Sequence, residues 1–251
     1  MKLAQILSAF CLLVSMSAVS ASLDQDWVRA ISKRDVPAIE RLLKHGVDVN
    51  LSATDGKTAL MLAAQQGRLD LIRTLLDAGA TVDITNTRGG TALMYAAVLG
   101  DTAPIKLLLA RGSAVNTQSS TGWTALMIAA VMGHDALVRL LLDQGANAGL
   151  ADIYGWTPLM RATYEKRLHV VRMLLTSKSV NVNARNDNGA TALHYAALRN
   201  QFEIAQLLIA NGADLLAKDR QERTPLMVAR ATGHDKLVKL FDRALDKEAL
   251  Q

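Results

Sequence analysis

Histidine, cysteine and carboxylate side chains are the groups in this sequence that could carry out catalysis or bind a metal. Five histidines occur, and two of them, His134 and His234, each follow a glycine. No two histidines have the spacing of metal ligands, and the single cysteine, Cys11, has no cysteine partner. The carboxylates are scattered, and no glycine-rich phosphate loop occurs. We therefore expect no enzymatic activity, no metal and no cofactor, and we expect His134 and His234 to cap helices and bridge neighbouring elements.

The elements that position these side chains come from a repeated tetrapeptide, Thr-Ala/Pro-Leu-Met/His. Its six copies begin at residues 58, 91, 124, 157, 191 and 224, so successive copies lie 33, 33, 33, 34 and 33 residues apart. A near-constant period of this size indicates stacked supersecondary units. Threonine is a good helix N-cap, and Pro158 and Pro225 suit the first helical position, where no backbone donor is needed.

Each copy of the tetrapeptide is followed by the same kinds of residues. An alanine pair, a glycine, a leucine-rich stretch and a closing Gly-Ala recur, as in Ala63-Ala64, Gly67, Leu75-Leu76 and Gly79-Ala80. The glycine suits a left-handed turn between two helices, and the leucines recur at helical spacing. This pattern resembles the ankyrin repeat family, and the resemblance covers the chain from Asp24 to about Ala244.

The resemblance implies an all-α repeat solenoid of seven stacked helix–turn–helix units joined by β-hairpin-like loops. Units at about 22–54, 55–87, 88–120, 121–153, 154–187, 188–220 and 221–251 would form one domain, 22–251. The first unit is degenerate: Trp27 takes a core leucine's place, Gln25 that of the capping threonine and Arg34 that of the turn glycine. In the fifth unit Lys166 replaces the turn glycine, and one extra residue predicts a local bulge.

The N-terminal residues form a segment of another kind. Lys2 precedes an apolar run from Ile6 to Val14 that is broken only by Ser8, and Val19-Ser20-Ala21 fits a cleavage site. This pattern predicts a secretory signal peptide at residues 1–21, because the run is shorter than the ~20 apolar residues that a membrane anchor needs. We expect a mature chain that is periplasmic or secreted, without cysteine and with no membrane anchor after cleavage.

Charge and composition argue against nucleic acid as a partner. The net charge of +5 is spread along the chain, and aromatic residues make up only 4% of it. The resemblance implies instead that the partner is another protein, gripped by a concave face that the hairpin tips and the first helix of each unit form. We expect the chain to be a monomer.

The middle of this face is unusually apolar. Trp123 and Trp156 stand directly before the capping threonine, a position that the scaffold leaves to solvent or a partner. We expect both to contribute little to folding; the alternative is that the two rings stack against each other as fold support. Flanking arginines suggest a partner with an apolar knob beside an acidic edge; they are Arg185, Arg199, Arg220, Arg223 and Arg230. The predicted protein-binding residues are Val98, Leu99, Trp123, Val131, Met132, Ile153, Tyr154, Trp156, Tyr164, Arg199 and Arg223.

These features predict an exported, non-enzymatic protein–protein interaction scaffold. Resemblance to exported bacterial ankyrin proteins suggests two roles, between which the sequence does not choose. The first is an inhibitor or immunity protein of a toxin or effector, and the second is a periplasmic oxidative-stress protection factor that acts with a catalase. An enzyme or a small-ligand binder is a third hypothesis.

Overall fold

A computed structural model of the chain describes residues 22–248, so the predicted signal peptide, residues 1–21, lies outside the described residues. The chain divides into two compact units, Met1–Ala114 and Val115–Gln251. The described helices of the first unit are α1 (residues 22–33), α2 (Val36–Leu43), α3 (Ala59–Gln65), α4 (Leu69–Asp77), α5 (Ala92–Ala97) and α6 (Thr102–Ala110). Those of the second unit are α7 (Ala125–Met132), α8 (Asp135–Asp143), α9 (Pro158–Tyr164), α10 (Leu168–Leu175), α11 (Ala192–Leu198), α12 (Phe202–Ala210), α13 (Pro225–Ala231) and α14 (Asp235–Glu248).

Each predicted repeat contains one helix pair, so the all-α repeat solenoid is confirmed. Odd-numbered helices are the first helices of the repeats and even-numbered helices are the second. First helices pack on first helices, as α9 does on α7 and α11, and second helices pack on second helices, as α10 does on α8 and α12. One repeat alone could not bury its apolar stripe, and stacking its neighbours against it completes the core.

The tetrapeptide sets where each first helix begins. The hydroxyls of five threonines accept the backbone N–H three residues on, at 3.1–3.3 Å; they are Thr58, Thr91, Thr124, Thr157 and Thr224. Pro158 and Pro225 occupy the first turn of their helices, as expected. The first repeat differs from the prediction, because α1 is already helical at Ser22 and passes through Gln25. Gln25 therefore does not cap this helix.

A left-handed residue reverses the chain between the two helices of each repeat. Gly67 has this conformation with φ +66°, and Arg34 and Lys166 adopt it at the equivalent place with φ +57° and +59°. The prediction that these two residues replace the turn glycine is therefore confirmed. Side chains carrying a Cβ are strained there, so the stacked repeats must supply the energy that holds the turn.

The core lies between the helix layers of each unit. Leu71, Ile72 and Leu75 of α4 are buried in the first unit, as are Leu137, Val138 and Leu141 of α8 in the second. Trp27 is fully buried, as predicted from aligning the first unit with the later repeats. The methionines of the first four tetrapeptides, such as Met61 and Met127, are buried as well and pack in the interior of the stack, whereas Met227 of the last copy is exposed.

The loops between repeats are hairpins closed by backbone hydrogen bonds. The Asn86 N–H donates to the Gly90 carbonyl at 3.0 Å in the first unit, and the Asp152 N–H donates to the Trp156 carbonyl at 3.0 Å in the second. Adjacent tips are joined in turn, since the Asp187 N–H donates to the Tyr154 carbonyl at 3.0 Å. Among residues 22–248 the one isolated β-bridge joins Ser52 to Thr58, so the tips are loops rather than strands.

Candidate protein-binding surface

Apolar side chains are exposed on the hairpin tips and at the C-terminal ends of the first helices. Six of them keep 44 to 59% of their surface in solvent: Val98, Leu99, Met132, Ile153, Tyr154 and Leu198. Val98 and Leu99 belong to the first unit, at the end of α5, and the other four belong to the second. We call the tips and first-helix ends of the second unit its hairpin face. Large apolar side chains gathered on such a face are characteristic of protein interaction sites.

The two tryptophans of the hairpin face are half-buried, and they contact residues that the sequence did not single out. The Arg161 guanidinium lies over the ring of Trp123, 4.9 Å from its centroid, and over the ring of Trp156, at 4.5 Å. The Trp156 ring also stacks on Tyr195, with centroids 4.3 Å apart and planes 27° apart. We call Trp123, Arg161, Trp156 and Tyr195 the aromatic stack.

The aromatic stack corrects both expectations for the tryptophans. Their rings do not stack on each other, because the Arg161 guanidinium contacts each of them. Trp156 is not left to solvent either, because Tyr195 of the next repeat and the edge-on ring of Tyr164, 5.7 Å away, also contact it. Trp156 therefore links two repeats, whereas the sequence predicted that this position faces solvent or a partner.

A buried ion pair anchors the stack to the hairpin. The Asp152 side chain is fully buried and forms an ion pair with the Arg161 guanidinium. Its other carboxylate oxygen accepts the backbone N–H groups of Tyr154 and Trp156 at 2.9 and 3.0 Å. One carboxylate thus fixes the hairpin tip that carries Tyr154 and also the cation that lies against both tryptophans.

The contacts between neighbouring repeats follow one rule when the repeats are aligned by their capping threonines. The residue directly before a capping threonine contacts the residue four places after the threonine of the next repeat. Trp123 contacts Arg161 and Trp156 contacts Tyr195 in this way, and in the first unit the Lys57 ammonium lies 5.0 Å from the Tyr95 ring centroid. Aligning the repeats by their threonines therefore pairs Trp156 with Tyr195 without any coordinates.

Comparison with known proteins agrees with this repeat geometry. The family model for ankyrin repeats (3 copies) matches residues 27–119, 93–186 and 178–249. The chain belongs to the ankyrin repeat family. The ankyrin repeat domain of Bcl-3, described as a unique member of the IkappaB protein family, matches with a TM-score of 0.70 and 30% identity, over 84% of this chain and 97% of that one.

Curated ankyrin repeat proteins match over shorter segments. An ankyrin repeat protein of Rickettsia bellii is 38% identical over 72 residues, which cover 29% of this chain and 43% of that protein. Notch-regulated ankyrin repeat-containing protein A of Danio rerio is 33% identical over 73 residues, covering 29% of this chain and 65% of the relative. The chain thus spans less than two thirds of these relatives' own lengths. Ankyrin repeats mediate contacts between proteins, so this fold is a protein–protein interaction scaffold.

Three arginines of the last ankyrin repeats have side-chain partners within the chain. Arg223 binds one carboxylate oxygen of Asp219 through two nitrogens, at 2.9 and 2.7 Å, and Arg230 pairs with Asp242 at 3.0 Å. The Arg199 guanidinium lies 4.7 Å from the ring centroid of Tyr164. Although burial opposes it, the hydrogen bonds from Arg223 hold the pKa of Asp219 below its usual value. Arg223 and Arg230 nevertheless keep half or more of their side-chain surface exposed, so the acidic edge expected on the partner stays a prediction.

Two histidines bridge ankyrin repeats. A ring nitrogen of His234 lies 2.9 Å from the Ala197 carbonyl oxygen of the preceding repeat, which confirms the bridging role predicted for it. Nδ1 of His194 accepts the Thr191 N–H at 3.1 Å, so its Nε2 carries the proton and donates to the Arg223 carbonyl at 2.9 Å. Burial lowers the pKa of His194, and the neutral ring fits both bonds.

No group of three or more histidine, cysteine, aspartate or glutamate side chains within residues 22–248 is placed to hold a metal ion. No helix in that same part of the chain is long and apolar enough to cross a membrane.

Proposed function

We propose that this chain is a non-enzymatic scaffold that binds a partner protein through the hairpin face of its second unit. The observation that carries the proposal is the pair Ile153 and Tyr154, which stand more than half exposed on one hairpin tip. A tip held by the buried Asp152 presents these side chains in a fixed position, so little conformational entropy is lost on binding.

Other features of the same face support this assignment. Met132 and Leu198 are exposed at the ends of α7 and α11, and Val131 and Tyr164 are half-buried nearby in the sequence. Tyrosine and methionine are enriched in the buried centres of protein interfaces. Because Trp156 is engaged in the aromatic stack, Tyr154 and Ile153 are the residues that contact the partner, and Trp156 has a structural role.

Replacing Tyr154 tests this proposal. The partner would be captured with the wild-type chain from the cell fraction in which the chain is found, and then its affinity for purified variants would be measured. Tyr154→Ser should weaken binding by about 2 kcal/mol or more, the size of effect expected of an aromatic anchor. Leu216→Ser is the matched control, since Leu216 is exposed and apolar but lies outside the hairpin face. Equal affinities of wild type and Tyr154→Ser would exclude the hairpin tip as the site.

We also propose that the chain is exported after cleavage at or near Ala21. The support is the apolar run from Ile6 to Val14 and the small residues that follow it. Mass spectrometry of the chain isolated from its native host should find an N-terminus at Ser22 or within a few residues of it. An intact Met1 on that material would contradict export by a cleaved signal peptide.

An inhibitor or immunity protein is the role that we propose first for the exported scaffold. A rigid face with an aromatic tip suits the blocking of another protein's surface, and that is how such an inhibitor works. The captured partner itself discriminates the roles: a toxin or effector enzyme inhibited at equimolar scaffold supports this role. A captured catalase would support protection from oxidative stress instead.

A further inference from the structure

The fifth and sixth repeats treat the same ankyrin position in opposite ways. In the fifth repeat Trp156 occupies the position before the capping threonine, and Arg161, Tyr164 and Tyr195 surround its ring. In the sixth repeat the same position is Ala190, which carries only a methyl group. One repeat further along the chain, the positions that correspond to those three neighbours are occupied by Tyr195, Leu198 and Val228.

These three residues line a pocket that the missing ring leaves open. The pocket has a volume of about 270 Å³, and its lining includes Ala190, Tyr195, Leu198 and Val228. Cavities that hold drug-sized ligands measure roughly 300–1,000 Å³, so this one is closer to the size of a single large side chain. It lies in the second unit beside Tyr195, the last member of the aromatic stack.

The buried polar groups around the pocket are already paired, whereas Asn188 and Gln221, which also line it, are exposed. Asp219 is bound to the Arg223 guanidinium, and His194 donates to the Arg223 backbone carbonyl. The Tyr195 hydroxyl accepts from the side-chain amide of Asn186 at 2.6 Å. Apart from Asn188 and Gln221, the pocket offers an incoming group the Tyr195 ring with the apolar walls of Leu198 and Val228, and these favour an aromatic ring over a charged group.

We infer that this pocket receives an aromatic side chain presented by the partner protein, in the place where an internal tryptophan stands in the two preceding repeats. The chain itself shows what fits this register, because Trp123 and Trp156 both occupy it and both stack on the next repeat. The inserted ring would extend the aromatic stack by one member. This inference rests on the proposed function and names the group by which the partner is held.

The pocket can be tested without the partner. N-acetyl-tryptophanamide would be titrated into the isotope-labelled chain, with N-acetyl-leucinamide as the comparison probe, while backbone amide shifts are followed by NMR. We expect saturable shifts at Leu198 and Val228 with the tryptophan probe and much smaller ones with the leucine probe. In Ala190→Trp the built-in ring fills the pocket, so these shifts should vanish, whereas Leu216→Trp, which adds a tryptophan outside the pocket, should retain them. Absence of saturable shifts in the wild type, or their survival in Ala190→Trp, would overturn the inference.

Measurements with the captured partner separate this inference from the proposed function. Ala190→Trp should weaken partner binding at least tenfold and leave the thermal melt unchanged or raised. Leu198→Glu, at the exposed wall of the pocket, should weaken binding similarly and serves if Ala190→Trp fails to fold. If Tyr154→Ser weakens binding but both pocket variants bind like wild type, the pocket inference is wrong and the proposed function stands. If Tyr154→Ser has no effect either, both are wrong.

Discussion

Lys57 in the first unit and Trp156 in the second occupy the same ankyrin position. Each contacts a tyrosine of the next repeat, Tyr95 and Tyr195 respectively. Both tyrosine hydroxyls accept from an asparagine amide, Asn86 at 2.8 Å and Asn186 at 2.6 Å. Lys57 places a single ammonium over the ring, whereas Trp156 covers the ring with an indole that has two further neighbours. Tyr95 remains half-buried as a result, and Tyr195 is buried.

The residue before the capping threonine differs from repeat to repeat. The comparison shows that such variation does not make the position a contact with a partner. Register alone places the residue before the capping threonine against the next repeat, and its chemical type decides how much it contributes there. A lysine can bend towards solvent at little cost, because an exposed cation over an aromatic ring gains only about 0.5–1 kcal/mol. A tryptophan at the same position becomes a link between repeats, so the partner must be sought at the exposed side chains around it.

The largest expected effect comes from removing the tryptophan. Trp156→Ala should lower the free energy of unfolding by about 3 kcal/mol, the low end of the range for large aromatic truncations, because the ring is half-buried. Lys57→Ala at the same register should cost less than about 1 kcal/mol. Urea denaturation of both variants measures the contrast. Similar losses for the two would show that the stack adds nothing beyond an ordinary surface contact.

A smaller loss is expected from removing the cation between the tryptophans. Arg161→Met keeps most of the side-chain volume but leaves the buried Asp152 carboxylate without its ion-pair partner. Breaking a buried pair costs about 3–5 kcal/mol, and we expect about 2 kcal/mol here because Arg161 is partly exposed and two backbone N–H groups still bind Asp152.

The double variant Asp152→Asn/Arg161→Met is the control for this change. Asparagine can still accept the two backbone N–H groups but carries no charge, so part of the lost stability should return. A double variant that is no more stable than Arg161→Met in urea would mean that the ring contacts of Arg161, rather than its charge, support the fold.

The fold could be predicted almost completely from the sequence, because the repeat imposes it many times over. The threonine caps, the left-handed turns at Arg34 and Lys166 and the buried Trp27 all follow from aligning one repeat with the next. The start of α1 could not be predicted this way, because no earlier repeat defines where that helix begins.

The binding surface was harder to predict because it depends on contacts between repeats. The sequence identified Ile153 and Tyr154 as exposed apolar residues, and the structure exposes both. It did not identify Arg161 and Tyr195, since each follows the tetrapeptide and looks like an ordinary helix residue until it is paired with the repeat before it. The sequence pattern within a single repeat does not reveal which side chains contact the neighbouring repeat.

The smallest expected effect concerns His194. It stands at the fourth position of the tetrapeptide, where the other five copies carry methionine. Its Nδ1 accepts the Thr191 N–H, so a protonated ring would lose that bond at the start of α11. Burial lowers the pKa of His194 in the folded chain; the charges of Arg185 and Arg223 act in the same direction, and Asp219 opposes them. The unfolded chain therefore takes up a proton near pH 6.5, the ordinary pKa of histidine, before the folded chain does. The free energy of unfolding should then fall as the pH drops below that value.

His194→Met sharpens this comparison, because it installs the residue that the other five tetrapeptides carry. The variant cannot protonate at this position, so its free energy of unfolding should fall less between pH 7.5 and 5 than that of the wild type. Methionine packs in the interior but does not hydrogen-bond the Arg223 carbonyl, so the two proteins are compared by how their stability changes with pH. The slope against pH, measured by urea denaturation at several pH values, is what decides. Parallel slopes in the two proteins would show that His194 is bound equally well in both protonation states, and that its two hydrogen bonds do not require the neutral ring.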